Sequence, residues 1–185
     1  MNASDKNRLM DSASVLRAIE RLASDIAVNF HGDGLKEMAL VGIQCRGTFL
    51  ARRLATKLNE LTGNEPLLGF IDTSMYRDDI GLRNNLPKIL ETNIPFDVNA
   101  RHIVLVDDVL WRGRTIRAAL DAITDYGRPA SIRLAVLVER KGREFPIHAE
   151  YVGIKYDVPS NKRVYVKLVE EDGEDSVYVK AMEVK

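Results

Sequence analysis

A single cysteine, Cys45, sets the first limit on this chain: it excludes an internal disulfide and cannot by itself make a zinc centre. Long apolar runs are missing too, and none approaches the roughly 20 residues that cross a bilayer. The opening residues lack the basic-then-apolar pattern of a secretion signal, so a cytoplasmic location with no membrane contact is expected. Excess charge of either sign is absent, because 27 Lys and Arg balance 27 Asp and Glu. Bulk electrostatics therefore ask for neither nucleic acid nor an anionic surface. No internal repeat or low-complexity tract breaks the chain.

What is present suits one domain over residues 1–185, large enough to bury about 70% of the surface its unfolded form exposes. Apolar residues at Val15, Leu16, Ile19, Leu22, Ile26 and Ala27 recur at helical spacing and predict a first helix over 14–30. A short apolar run over 38–43 reads as a strand, 49–61 as a helix, and 67–74 as a second strand. The stretch 75–100 is long and polar, contains Pro87 and Pro95, and reads as a flexible loop or flap. A further apolar run at 132–138 and a short one at 151–154 predict more strands. Partial alternation over 164–169 and 176–184, around a turn at Asp172-Gly173, predicts an antiparallel closing pair. Alternating strands and helices give an α/β class: a doubly wound, mainly parallel sheet flanked by helices.

The segment Ile103-Val104-Leu105-Val106-Asp107-Asp108-Val109-Leu110-Trp111-Arg112-Gly113-Arg114-Thr115 carries the chemistry. Its unbroken apolar run reads as a parallel strand covered on both faces, followed by a loop and a helix over 115–126. Two carboxylates, Asp107 and Asp108, thus sit at the strand's carboxyl end, where open α/β sheets bind ligands. Side by side they repel unless hydroxyl donors or a metal occupy the site. The helix start beyond offers amides to an anion, Gly113 allows close approach, and Thr115 is placed to donate to a phosphate and cap the helix. Sugar hydroxyls and a phosphate together describe a phosphorylated sugar.

This segment resembles the signature of the type I phosphoribosyltransferases, in which neighbouring acids hold the ribose hydroxyls of phosphoribosyl pyrophosphate (PRPP) and the next loop cradles its 5′-phosphate. Val41-Gly42-Ile43-Gln44-Cys45-Arg46-Gly47, Asp72-Thr73-Ser74-Met75-Tyr76-Arg77-Asp78-Asp79, Tyr126-Gly127-Arg128-Pro129 and Arg143-Glu144-Phe145-Pro146-Ile147 extend the likeness in order. They are similar to the pyrimidine operon regulators that double as uracil phosphoribosyltransferases, from about the first helix to the final strand.

The resemblance implies the type I fold, with a flexible lid and a small base-covering hood. It implies that Asp107, Asp108, Trp111, Arg112, Gly113, Arg114 and Thr115 bind the ribose and 5′-phosphate of PRPP. Cys45, Arg46 and Gly47 would bind pyrophosphate, with Cys45 a small packing residue rather than a nucleophile. Arg77 would meet the leaving-group charge from the start of the lid, and Arg140, Lys141 and Gly142 would cover the base. It further implies Mg²⁺ held largely by PRPP with no direct protein ligand, partners uracil, UMP or UTP, and a homodimer or homotetramer.

Departures from the family are visible. Arg112 stands where Thr or Ser is usual and Trp111 where Tyr, Phe or Met is, so the guanidinium either adds an ion pair or crowds the pocket. Glu139-Arg140-Lys141-Gly142-Arg143-Glu144-Phe145-Pro146 replaces Asp-Arg-Gly-His-Arg-Glu-Leu-Pro. On the first helix Glu20 and Ser24 replace Thr and His, although Arg17, Arg21, Arg143 and Lys155 remain as cations for an RNA leader of pyrimidine genes. Three readings stay open: a uracil phosphoribosyltransferase that also regulates pyrimidine genes, a non-catalytic RNA-binding regulator, or a transferase for another nucleobase.

Overall fold

The computed structural model describes residues 7–30, 32, 34–78 and 90–182. In chain order these form β1 (Arg8–Met10), α1 (Ser12–Asn29), a one-turn α2 (Gly34–Glu37), β2 (Met38–Ile43), α3 (Arg46–Thr62) and β3 (Leu67–Ile71). A 3-10 turn (Ser74–Tyr76) precedes β4 (His102–Leu110), α4 (Arg114–Thr124), β5 (Ser131–Arg140) and β6 (Tyr151–Tyr156). The chain closes with β7 (Lys162–Lys167), a one-turn α5 (Val169–Asp172) and β8 (Ser176–Ala181).

Five strands pair in the order β3-β2-β4-β5-β6, all parallel. Because β2 and β3 run outward one way and β4, β5 and β6 the other, the order reverses between β2 and β4. That reversal opens a crevice at the carboxyl ends of these two strands. Every residue of β2 is buried, as a strand covered on both faces requires. Side chains of β4 alternate: Val104 and Val106 join α1, α3 and a second sheet on one face, while Ile103 and Leu105 join α4 on the other. The second sheet is small and antiparallel, ordered β1-β8-β7.

The parallel sheet and the antiparallel pair agree with the periodicities, and the differences have physical causes. The second strand stops at Ile71 rather than 74, because Asp72 accepts hydrogen bonds from the amide (2.9 Å) and hydroxyl (2.7 Å) of Ser74 and bends the chain into the 3-10 turn. Helix α3 starts at Arg46 instead of 49, with Arg46 and Gly47 in its first turn. Strand β1 was not expected; three residues are too short to show a period, and pairing with β8 creates it.

Residues 90–100 are not part of an open flap. Phe70 and Asn93 bridge two main chains at 2.7 and 2.8 Å, Ile94 and Phe96 pack on the sheet's α4 face, and Val98 is buried. Of the expected lid, 79–89 lies outside the described residues, as do 183–184 of the last predicted strand.

Helix α3 approaches β4 at contact distance, and Gly47 makes this possible. A Cβ there would stand 2.3 Å from the Val106 carbonyl oxygen, a backbone atom that cannot yield cheaply. Gly47→Ala is expected to cost about 3 kcal/mol through forced separation of helix and strand. Calorimetry should register this as a fall in Tm of roughly 6–12 °C.

Candidate active site

A polar cleft of about 500 Å³ opens at the switch point between β2 and β4. Its floor is the end of β4 with the turn into α4, its sides are the Gln44-Cys45-Arg46 corner and Arg77, and Arg140 at the end of β5 with Arg163 and Val164 of β7 close it. Here the chain brings together residues from five separate stretches.

Asp107 is buried and accepts the Asp108 amide at 2.9 Å. Burial holds both carboxyls above the ordinary carboxylate range. The negative charge of Asp108 pushes Asp107 further up, whereas the Arg46 guanidinium draws Asp108 back. An acid in this state favours the fold while protonated, so its contribution is complete below about pH 4 and is lost as pH rises through its native pKa. Two carboxyls whose ionisation burial opposes, in a cleft that Arg46 and Arg77 also line, suit a ligand that brings hydroxyl donors or positive charge to them.

Beyond the acids, Gly113 takes φ +92°, the left-handed region that glycine adopts without strain, and starts α4. This corrects the cap expected at Thr115: the helix begins at Arg114, Gly113 holds the cap position, and no side chain caps it. The first amides of α4 therefore remain available to an anion. The Thr115 hydroxyl is left to accept Arg77 at 3.5 Å. Arg77 is set over the cleft by α4, since Arg117 donates to the Tyr76 carbonyl (2.7 Å) and the Tyr76 hydroxyl donates to Asp125.

At the opposite wall, Arg46 donates through Nη2 to both oxygens of Asp172, at 3.1 and 3.2 Å. Burial alone would lower the Arg46 pKa, but the bond and charge of Asp172 outweigh it and raise it. Cys45 is exposed at the same corner, and the peptide between Gln44 and Cys45 is cis.

Comparison with known proteins joins this geometry to a family. The phosphoribosyl transferase domain matches residues 6–168. Proteins named "Bifunctional protein PyrR" align over nearly the whole chain. The one from Roseiflexus sp. is 46% identical over 175 residues, covering 94% of each chain, and the one from Deinococcus deserti is 48% identical over 172, covering 93% of each. The chain belongs to the PyrR family of phosphoribosyltransferases. Among solved structures, the hypoxanthine phosphoribosyltransferase of Trypanosoma cruzi superposes with a TM-score of 0.71 at 20% identity, covering 96% of this chain and 97% of that one, which shows a shared fold.

Of the other positions expected at the site, the structure brings some to the cleft and turns others away from it. Arg112 lines the cleft at the turn into α4, with its guanidinium over Trp111 (4.3 Å) and paired with Glu144 (3.2 Å). Arg114 shares Glu144 at 2.6 Å and also meets Asp78. Arg140 is no loop residue but the end of β5, buried, stacked on the Trp111 ring at 4.0 Å and donating to the carbonyls of Lys162, Val158 and Pro159. Burial in first place, with Arg112 nearby, lowers its pKa. Lys141 and Gly142 do not line the cleft; Lys141 turns out to Asp157 at 2.6 Å.

Arg143 corrects the proposed RNA-facing set. Its guanidinium is turned inward to the carbonyls of Leu110, Trp111, Arg140 and Ile147 and to Glu139, so it clamps the strand end instead of facing phosphates. Arg17, Arg21 and Lys155 do stay on the surface. Arg163 lines the cleft although nothing in its own segment marks it; only the packing of β7 beside β4 brings it there.

Two outcomes follow from this geometry. Asp107→Asn keeps the acceptor for the Asp108 amide and removes the repulsion, so Tm at pH 7.5 should rise by roughly 3 °C, about 1 kcal/mol for a chain of this size, while turnover disappears. The gain should vanish in melts below pH 4. Arg112→Thr, taking away a guanidinium that is engaged with Glu144 and the Trp111 ring, should leave kcat/KM for PRPP within about threefold in steady-state assays, the scale of an exposed ion pair.

Proposed function

We propose that this chain joins uracil to PRPP, releasing pyrophosphate and forming UMP. The observation carrying the reading is the Asp107-Asp108 pair at the sheet's switch point, one glycine turn before the open amides of α4. Spacing of this kind suits a ribose gripped by its vicinal hydroxyls with its 5′-phosphate at the helix start. As the C1′–O bond to pyrophosphate breaks and the uracil N1–C1′ bond forms, positive charge grows on the ribose beside two acids. Negative charge grows on the leaving group beside Arg46 and Arg77, and preorganised charges of this sort lower the barrier most. The N1 proton departs to solvent or pyrophosphate, and no covalent nucleophile is needed.

Mg²⁺ fits this cleft as a companion of the substrate. No cluster of three or more metal-ligating side chains exists among the described residues, and the acids lining the cleft are Asp107 and Asp108, so PRPP oxygens and water would complete its shell. When bound, the ion neutralises pyrophosphate charge.

A regulatory role beside the transferase reaction is favoured by the bifunctional PyrR relatives. In this reading UMP or UTP occupies the same cleft, a pyrimidine-gene leader RNA meets a surface including Arg17, Arg21 and Lys155, and the protein works as a dimer or tetramer. The cytoplasm suits it, since a lone exposed thiol such as Cys45 stays reduced there.

The deciding assay supplies PRPP, Mg²⁺ and each nucleobase in turn and measures pyrophosphate. Release with uracil alone is expected. Release only with a purine base, or with none, overturns the reading.

A further inference from the structure

We infer that Asp172, which lies on α5 and is not among the residues lining the cleft, is the positioning residue for pyrophosphate recognition, holding Arg46 ready for the leaving group. The inference rests on the transferase reading above, and its test separates the two.

Three observations carry it. First, Asp172 is itself fixed: one oxygen accepts the Leu168 amide at 3.0 Å, while both oxygens receive Nη2 of Arg46. The pair is charge-assisted and largely shielded, with side-chain exposures of 32% and 18%. Second, Arg46 keeps donors in reserve. Only Nη2 is spent on Asp172, and Nε is buried with no acceptor. A guanidinium anchored along one side presents its remaining N–H groups in a fixed plane, which suits a phosphate oxygen pair.

Third, Arg46 has a rival carboxylate. Asp108 lines the same cleft and feels the Arg46 charge, so it competes with Asp172 for the guanidinium. Asp172 therefore keeps the cation for pyrophosphate apart from the anion for the sugar. Arg53, two turns along the same face of α3, docks the rest of the α5 turn through Glu170 (2.6 and 2.8 Å) and Asp175 (2.8 Å). It provides an internal control: the same junction, with no contact to Arg46.

Asp172→Asn retains an acceptor for the Leu168 amide and removes the charge. Calorimetric titration with pyrophosphate and Mg²⁺ should show about tenfold weaker binding, and kcat/KM for PRPP should fall about tenfold while KM for uracil stays within twofold. Asp175→Asn should lower Tm yet leave both pyrophosphate affinity and kcat/KM within twofold. Unchanged or tighter pyrophosphate binding by Asp172→Asn overturns the inference, as does an equal loss in Asp175→Asn, which would make the turn a plain structural support. Failure of the wild-type protein to bind pyrophosphate overturns it as well. Wild-type protein that binds pyrophosphate but transfers no ribose to uracil sinks the transferase reading, and the affinity comparison still judges Asp172.

Discussion

Two like charges on consecutive residues, placed at the end of a strand whose flanks are fully apolar, dominate this molecule. The strand buries Ile103 to Val106 between its helical layers and continues through both acids to Val109 and Leu110, so the carboxylates lie inside β4, three and two residues before its end. Asp107 and Asp108 then stand in the crevice made by the reversal of strand order, and burial makes their ionisation costly. Much of the surrounding structure answers that charge. Arg46 and Arg77 approach from two different walls, each from an element pinned by its own contacts, and neither neutralises the pair outright. The result is a site organised for a ligand carrying hydroxyls and anionic groups, held in a state that the free protein tolerates rather than prefers.

The arginines divide into those that build and those that face the cleft's contents. Arg140 and Arg143 are internal fasteners: one satisfies carbonyls of the loop before β7, the other carbonyls at the end of β4. Arg53 fastens α3 to the small sheet. Arg46, Arg77 and Arg163 line the cleft. Arg112 and Arg114 occupy its rim, shared with Glu144. Trp111, at the turn into α4, carries the guanidinium groups of both Arg112 and Arg140 against its ring. The substitution of Arg for a small hydroxyl residue is accommodated because the long side chain reaches outward to the ring and to Glu144.

Much of the fold was legible in the residues. The continuous apolar run of β4, the helical stripe of α1 and the alternation of β7 and β8 each report a burial pattern that local periodicity encodes. So was the floor of the site, since Asp107, Asp108 and Gly113 are neighbours in sequence and their roles follow from one strand-turn-helix unit. Legibility failed where a contact joins distant segments. Arg143 looked like a surface cation, because a sequence shows charge but not the four carbonyls around it. The 90–100 stretch looked like open loop, because its polar residues outnumber Ile94, Phe96 and Val98, which anchor it to the sheet together with the Phe70–Asn93 bridge.

By itself, then, the chain's order of residues determined the parallel α/β sheet, the acids at its carboxyl edge and the glycine turn beyond them, all through interactions spanning a few residues. Only the tertiary structure decided which cations serve the cleft. It turned Arg143 inward, buried Arg140 against the carbonyls of Val158, Pro159 and Lys162, brought Arg163 across from β7, and set Asp172 against Arg46, 126 positions away in the chain. The physical reason is that a guanidinium's role depends on which carbonyls and carboxylates surround it, and those partners are chosen by packing rather than by sequence neighbours.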